Sequence, residues 1–274
     1  MFGKKSIALV LLICGDAMGA VFVTYAWSHV YEIPVYPHFP SLEAIQSNVC
    51  PEQGTTTIAG VVNFEGPIPA KRMIDISGAS ACAKATGANE IENEKFLISD
   101  DHKLANVVVY VKRFPAQWIF PERHATSIIE MKNCRYSPHV LAIQMGDSVT
   151  FENRDDSAHN PHCISCSDGC ATQQAASTYH FDEPEVFAEI RCNIHGWMSA
   201  HIAVFDHPFY AVTSRDGTFT FPRKLPPGEY LITAAHERFG ERTCVVTVSD
   251  ADTLKHLRFT FSADNNPNPS TLSH

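Results

Sequence analysis

The segment Cys192-Asn-Ile-His195-Gly-Trp-Met198 sets a thiol, an imidazole and a thioether within one short stretch of chain. A soft thiolate beside a thioether selects copper rather than magnesium, calcium or manganese. Alternation in the preceding residues puts Val186, Ala188, Ile190 and Cys192 on one face of a strand and Glu189 and Arg191 on the other, so the thiol points inward. A tight turn after Cys192 can bring His195 and Met198 to the same point. One more imidazole is needed to complete a plane of two histidines and one cysteine.

Upstream stands Gly146-Asp-Ser-Val-Thr-Phe-Glu-Asn153, followed by Ser157-Ala-His159-Asn160-Pro-His162. Val149 and Phe151 alternate inward, and the strand runs out into the loop that carries His159. This pattern, followed by C-x2-H-x2-M, resembles the cupredoxins over roughly residues 138–206, and the short loop is most similar to that of amicyanin. Cys134-Arg-Tyr-Ser-Pro-His-Val140, Asp206-His-Pro-Phe209 and Ala235-His-Glu237 are similar to bacterial exported proteins of the methylamine-utilisation-like or plastocyanin-like kind. The resemblance implies a Greek-key β-sandwich with one type 1 (blue) copper, held by His159, His195, the Cys192 thiolate and a weak axial Met198. It makes Asn160 an outer partner of the Cys192 sulfur. The function implied is one-electron transfer rather than catalysis. Ile194, Gly196, Trp197 and Met198 would surround a partly exposed edge of His195, with Trp197 read either as a partner contact or as a core aromatic. A binuclear centre would need a second thiolate four residues away, where Ala188 and Gly196 stand.

The elements that must position these groups are short strands separated by Gly, Pro, Asn and Asp, at roughly 57–64, 104–112, 127–133, 138–144, 147–153, 184–192, 199–206, 217–221, 229–236, 243–249 and 256–262. The chain therefore reads as all-β, with a short helix at Ser80 to Lys84. Residues 57–206 form the copper segment. Residues 207–262, with Asp216-Gly217 and Leu225-Pro-Pro-Gly-Glu-Tyr230 turns, resemble the transthyretin-like or carboxypeptidase-regulatory-like module, and the strand at 57–64 can pair back into the same sheet. Residues 263–274 read as a disordered tail.

Lys4 and Lys5 precede an apolar stretch from Ile7 to Trp27, the pattern of an export segment over residues 1–30, cleaved or retained as an anchor. Residues 31–56 follow as a Pro-rich spacer. The net charge of −9 disfavours nucleic acid and anionic membranes and suits a basic redox partner such as a c-type cytochrome. Nine cysteines in an exported chain make disulfides plausible, and Cys82 with Cys134 is the expected staple. In His162-Cys163-Ile-Ser-Cys166-Ser-Asp-Gly-Cys170, disulfides are the favoured reading, with zinc or a second copper as the alternative. His139, His201, His207 and His236 read as structural histidines, and His236 and Glu237 as pointing to opposite faces. Two other functions stay open at this level. One is a metal-free envelope protein with every cysteine paired; the other is a copper carrier or enzyme with an open coordination position.

Overall fold

The computed structural model describes residues 50, 54–121, 123–164 and 176–263. The export segment, most of the spacer, Cys166, Cys170 and most of the tail lie outside the described residues. Among the described residues no helix is long and apolar enough to cross a membrane.

The chain is all-β, as its strand periodicity predicts. In order come β1 (Thr57–Glu65), β2 (Met73–Asp75), α1 (Ser80–Thr86), β3 (Glu90–Glu92), β4 (Val108–Arg113), β5 (Thr126–Lys132), β6 (Arg135–Ser137), β7 (Val140–Gln144) and β8 (Ser148–Asn153). There follow β9 (Pro161–Cys163), β10 (Ala176–His180), β11 (Glu185–Cys192), β12 (Ser199–Phe205), β13 (Tyr210–Val212), β14 (Thr218–Thr220), β15 (Gly228–His236), β16 (Gly240–Val248) and β17 (Leu254–Ser262). Four sheets carry the fold, with orders β14-β1-β17, β13-β4-β15-β16, β7-β12-β11-β9 and β10-β8-β5-β6.

The apolar side chains explain how these sheets stack. In β4, Val109 and Val111 enter one core with Ile58, Phe219, Ile232 and Phe261. The alternate residues Val108 and Tyr110 enter a second core with Val140, Ala203, Phe205 and Ala235. In β12, Ala203 and Phe205 share that second core, whereas Ala200, Ile202 and Val204 face a third core with Ile129, Val149, Phe151, Tyr179 and Ile190. Strands covered on both faces have no solvent side to mark with polar residues, and so Val107-Val-Val-Tyr-Val111 and Ala200-His-Ile-Ala-Val-Phe205 are nearly continuous apolar runs. The result is two sandwiches back to back, meeting at a middle core.

The cores do not follow a division at residue 207. β1 pairs antiparallel with β14 and parallel with β17. β4, placed by sequence in the copper segment, pairs with β13 and β15. Long-range strand pairing overrides order along the chain. The turn before β14 shows why Gly217 is needed there. Its φ is +70°, and a Cβ would stand 2.6 Å from the Val62 carbonyl oxygen. Gly217→Ala is expected to destabilise the fold by about 1–3 kcal/mol through strain and steric clash, read as a melting temperature lowered by several degrees with the circular dichroism spectrum unchanged.

Candidate metal centre

β11 is hydrogen-bonded on both sides, and this brings two distant loops together. Ile190 and Arg191 pair with Ala200 and Ser199 of β12, while Cys192 and Arg191 pair with Pro161 and His162 of β9. The Asn193 N–H donates to the Asn160 carbonyl at 3.0 Å, joining the loop after Cys192 to the one carrying His159. Within the C-x2-H-x2-M loop, the Met198 N–H donates to the His195 carbonyl at 3.0 Å and the Cys192 N–H to the Met198 carbonyl at 3.2 Å. The turn is thereby closed on itself. Cys192 and Met198 are both buried in the core containing Ile190 and Phe151.

One donor atom each of His159, Cys192 and His195 lies within 4.8 Å of the others. The two imidazoles face each other through Nδ1 at 3.1 Å, and the Cys192 sulfur is 3.9 Å from His195 Nδ1. The opposite nitrogens are both engaged. His159 Nε2 donates to Asp155 Oδ2 at 2.9 Å, and His195 Nε2 lies 3.6 Å from the Cys82 sulfur, a weak acceptor. With its Nε2 hydrogen held by Asp155, His159 turns its Nδ1 lone pair toward His195 Nδ1, and a proton or a metal ion can stand between the two rings. Bond lengths of about 2.0–2.1 Å to nitrogen and about 2.3 Å to sulfur let one ion reach all three atoms. The donor set thus fits a transition-metal ion of the copper class.

The surroundings favour a thiolate. Burial pushes the Cys192 thiol up, but hydrogen bonds from His159 and from the backbone N–H groups of Asn160, His195 and Ile194 outweigh it and bring the pKa from 9.0 to about 7. The Asn160 and His195 N–H groups lie 3.5 Å and 3.4 Å from the sulfur. Burial disfavours the His159 imidazolium, yet Cys192 and Asp155 raise its pKa. In the metal-free protein a proton can therefore fill the place between the rings. His195 moves the other way, lowered by burial and by the neighbouring His159.

Asp155 has no counterpart in the sequence-derived ligand set. Its carboxylate accepts N–H groups of Asn133 and Cys134 at 2.6 Å and 2.8 Å besides holding His159. The signal available was its spacing from His159, which is common without meaning. Cys82 and Cys134 form the expected disulfide, with Cα atoms 5.6 Å apart and a sequence separation of 52. A cross-link of that span is worth about 4 kcal/mol in the chain-entropy model. It anchors α1, whose seven residues are too few to hold a helix alone. Cys163 is disulfide-bonded as well, and Cys192 is a free thiol, which removes the reading that pairs every cysteine.

Two expectations are corrected, on His195 and on Val186. His195 is only 7% exposed, covered by the disulfide and by the Trp197 ring at 5.0 Å, so it offers no open edge. Trp197, read either as a partner contact or as a core aromatic, is half-buried and donates its indole N–H to the Cys134 carbonyl at 3.2 Å; Asn193, Ile194 and Gly196 are the exposed residues of the loop, Ile194 at 53%. Val186 packs with the middle core rather than beside Cys192, because a bulge at Phe187, with φ of 69°, reverses the strand phase. Ala188, Ile190 and Cys192 keep the expected face. His207 and His236 match the structural reading: each accepts a backbone N–H at 3.1 Å, and burial lowers each pKa to about 4. His139 and His201 instead converge on Glu237.

No family model matches the sequence, and no curated protein does. Among solved structures the chain is similar to a Cu-containing nitrite reductase from Thermus scotoductus SA-01, at 22% identity and a TM-score of 0.26, over 35% of this chain and 25% of that one. It therefore spans about a quarter of that enzyme. It is also similar to an amicyanin variant in the Cu(I) state, at 22% identity and a TM-score of 0.26, over 29% of this chain and 81% of that one. A third likeness is to pseudoazurin from Methylobacterium extorquens AM1, at 23% identity and a TM-score of 0.27, over 30% and 76%.

The Asp155 contact generates its own test. Asp155→Asn is expected to weaken binding of a transition-metal ion at these donors about 10–100-fold in competition with a chelator, and Asp156→Asn, its neighbour, to leave binding unchanged.

Proposed function

We propose that this protein is an extracytoplasmic copper protein that carries single electrons, with His159, Cys192 and His195 as the strong ligands and Met198 as the weak one. The observation that carries this reading is the convergence of His159, His195 and a free buried Cys192 thiol, with the two Nδ1 atoms facing each other and His159 Nε2 held by Asp155. Bound copper supplies the Cu(I)/Cu(II) couple. The chain supplies a dry, preformed set of imidazole, thiolate and thioether that serves both oxidation states with little rearrangement. The backbone N–H groups of Asn160 and His195 share the negative charge of the Cys192 sulfur and so help set the potential.

A redox partner would meet the face formed by exposed Ile194 and half-buried Trp197. The net charge of −9 favours a basic one, such as a c-type cytochrome, approaching under electrostatic steering. The charged-then-apolar N-terminus supports delivery of the site to the envelope, where its disulfides persist.

Loading with Cu(II) is expected to give an intense visible thiolate-to-copper charge-transfer band that Cys192→Ser abolishes. Azide should leave the band unchanged, because the ligand set has no open position. A spectrum without thiolate character would sink the proposal, and one that shifts with azide would favour a copper enzyme or carrier.

A further inference from the structure

Between the two sandwiches, three ionisable side chains from three separate elements meet. His139 precedes β7, His201 lies on β12 and Glu237 follows β15. His139 Nε2 is 2.6 Å from Glu237 Oε1, and His201 Nε2 is 2.9 Å from Glu237 Oε2. The three side chains are 4%, 9% and 5% exposed.

The placement of hydrogens decides what this cluster is for. His139 Nδ1 lies 2.9 Å from the Ser199 carbonyl oxygen, which only accepts, so Nδ1 carries the hydrogen. A neutral His139 then turns the lone pair of Nε2 directly at a carboxylate oxygen. His201 Nε2 approaches the other oxygen without the geometry of a hydrogen bond, and both of its ring nitrogens are buried with no hydrogen-bond partner. Burying such a nitrogen unsatisfied costs roughly 1–3 kcal/mol by mutational measure. Burial disfavours a charged His139, yet Glu237 raises its pKa, so either a proton or a metal ion can supply the positive charge that the three donors surround.

We propose that His139, His201 and Glu237 form a second metal site, taking a divalent ion of the zinc or copper(II) class and clamping β7 and β12 to β15. Its nitrogen and oxygen donors are harder than the sulfur-containing set around Cys192, which makes it a site for zinc or oxidised copper rather than Cu(I). One donor atom of each residue lies within 4.8 Å of the others, and one ion bonded at about 2.0–2.2 Å to each would open the 2.6 Å and 2.9 Å contacts slightly as it replaced the proton. The Ser199 carbonyl fixes the tautomer of His139, the support expected behind a metal-bound imidazole. The burial of all three side chains, which leaves no path for a substrate, points to a structural role. The site is independent of the copper reading.

The test uses the full-length His159→Ala/Cys192→Ser double variant, in which the first centre is dismantled. After chelation and reloading with Zn(II), one equivalent of zinc should survive desalting and raise the melting temperature, and zinc-edge absorption should show imidazole and oxygen neighbours without sulfur. Adding Glu237→Gln should cut zinc affinity at least tenfold. Copper(II) in place of zinc should show nitrogen and oxygen ligation in its paramagnetic resonance, which distinguishes the two ions. No retained zinc, with a melting temperature indifferent to chelator, would overturn the proposal and leave a buried imidazolium–carboxylate pair. Sulfur in the zinc shell, or a full equivalent retained in a folded Glu237→Gln protein, would overturn it by placing the ion elsewhere.

Discussion

Two imidazole nitrogens turned toward each other at 3.1 Å in a buried pocket need a proton or a metal ion between them, and the architecture around the site holds them there. Asp155 draws the far side of one ring outward, and the Cys82–Cys134 disulfide covers the far side of the other. The same disulfide is tied to Asp155 through the Cys134 N–H and to Trp197 through the Cys134 carbonyl. Staple, carboxylate and indole therefore act on one pair of rings. Neither ring can turn without breaking a contact that something else also uses.

The sheets serve this constraint by fixing where loops end. β11 lies between β9 and β12, so the chain leaving Cys192 and the chain entering Pro161 are neighbours by register. Behind them, strands buried on both faces join the sandwich that carries His159, Cys192 and His195 to a second one. That join is apolar apart from a few groups, and the histidines and glutamate in it are the costliest to bury. Their convergence makes the join between sandwiches a chemical feature as well as a packing one.

Much of this was legible in the sequence where the signal is local. C-x2-H-x2-M declares its donors within one turn, and alternation in Val149 and Phe151 places the neighbouring strand with its apolar face inward. The strands found at β1, β8, β12 and β17 lie close to their periodic segments for the same reason. What stayed hidden depends on distance or on a broken period. His139 and Glu237 are 98 positions apart, and no spacing rule joins them. The bulge at Phe187 puts Val186 on the wrong face for a regular strand. Short pieces such as β2, β3, β6 and β9 have too few residues for alternation to show. Burial of His195 depends on a disulfide from far upstream closing over it, which the loop sequence alone does not contain.

The most direct measurement of the central claim is the copper-edge X-ray absorption of the loaded protein in both oxidation states. One short sulfur and two imidazole nitrogens around copper, nearly unchanged between Cu(I) and Cu(II), is the result this account predicts. A shell of nitrogen and oxygen alone, or one that gains and loses ligands with oxidation state, would contradict it.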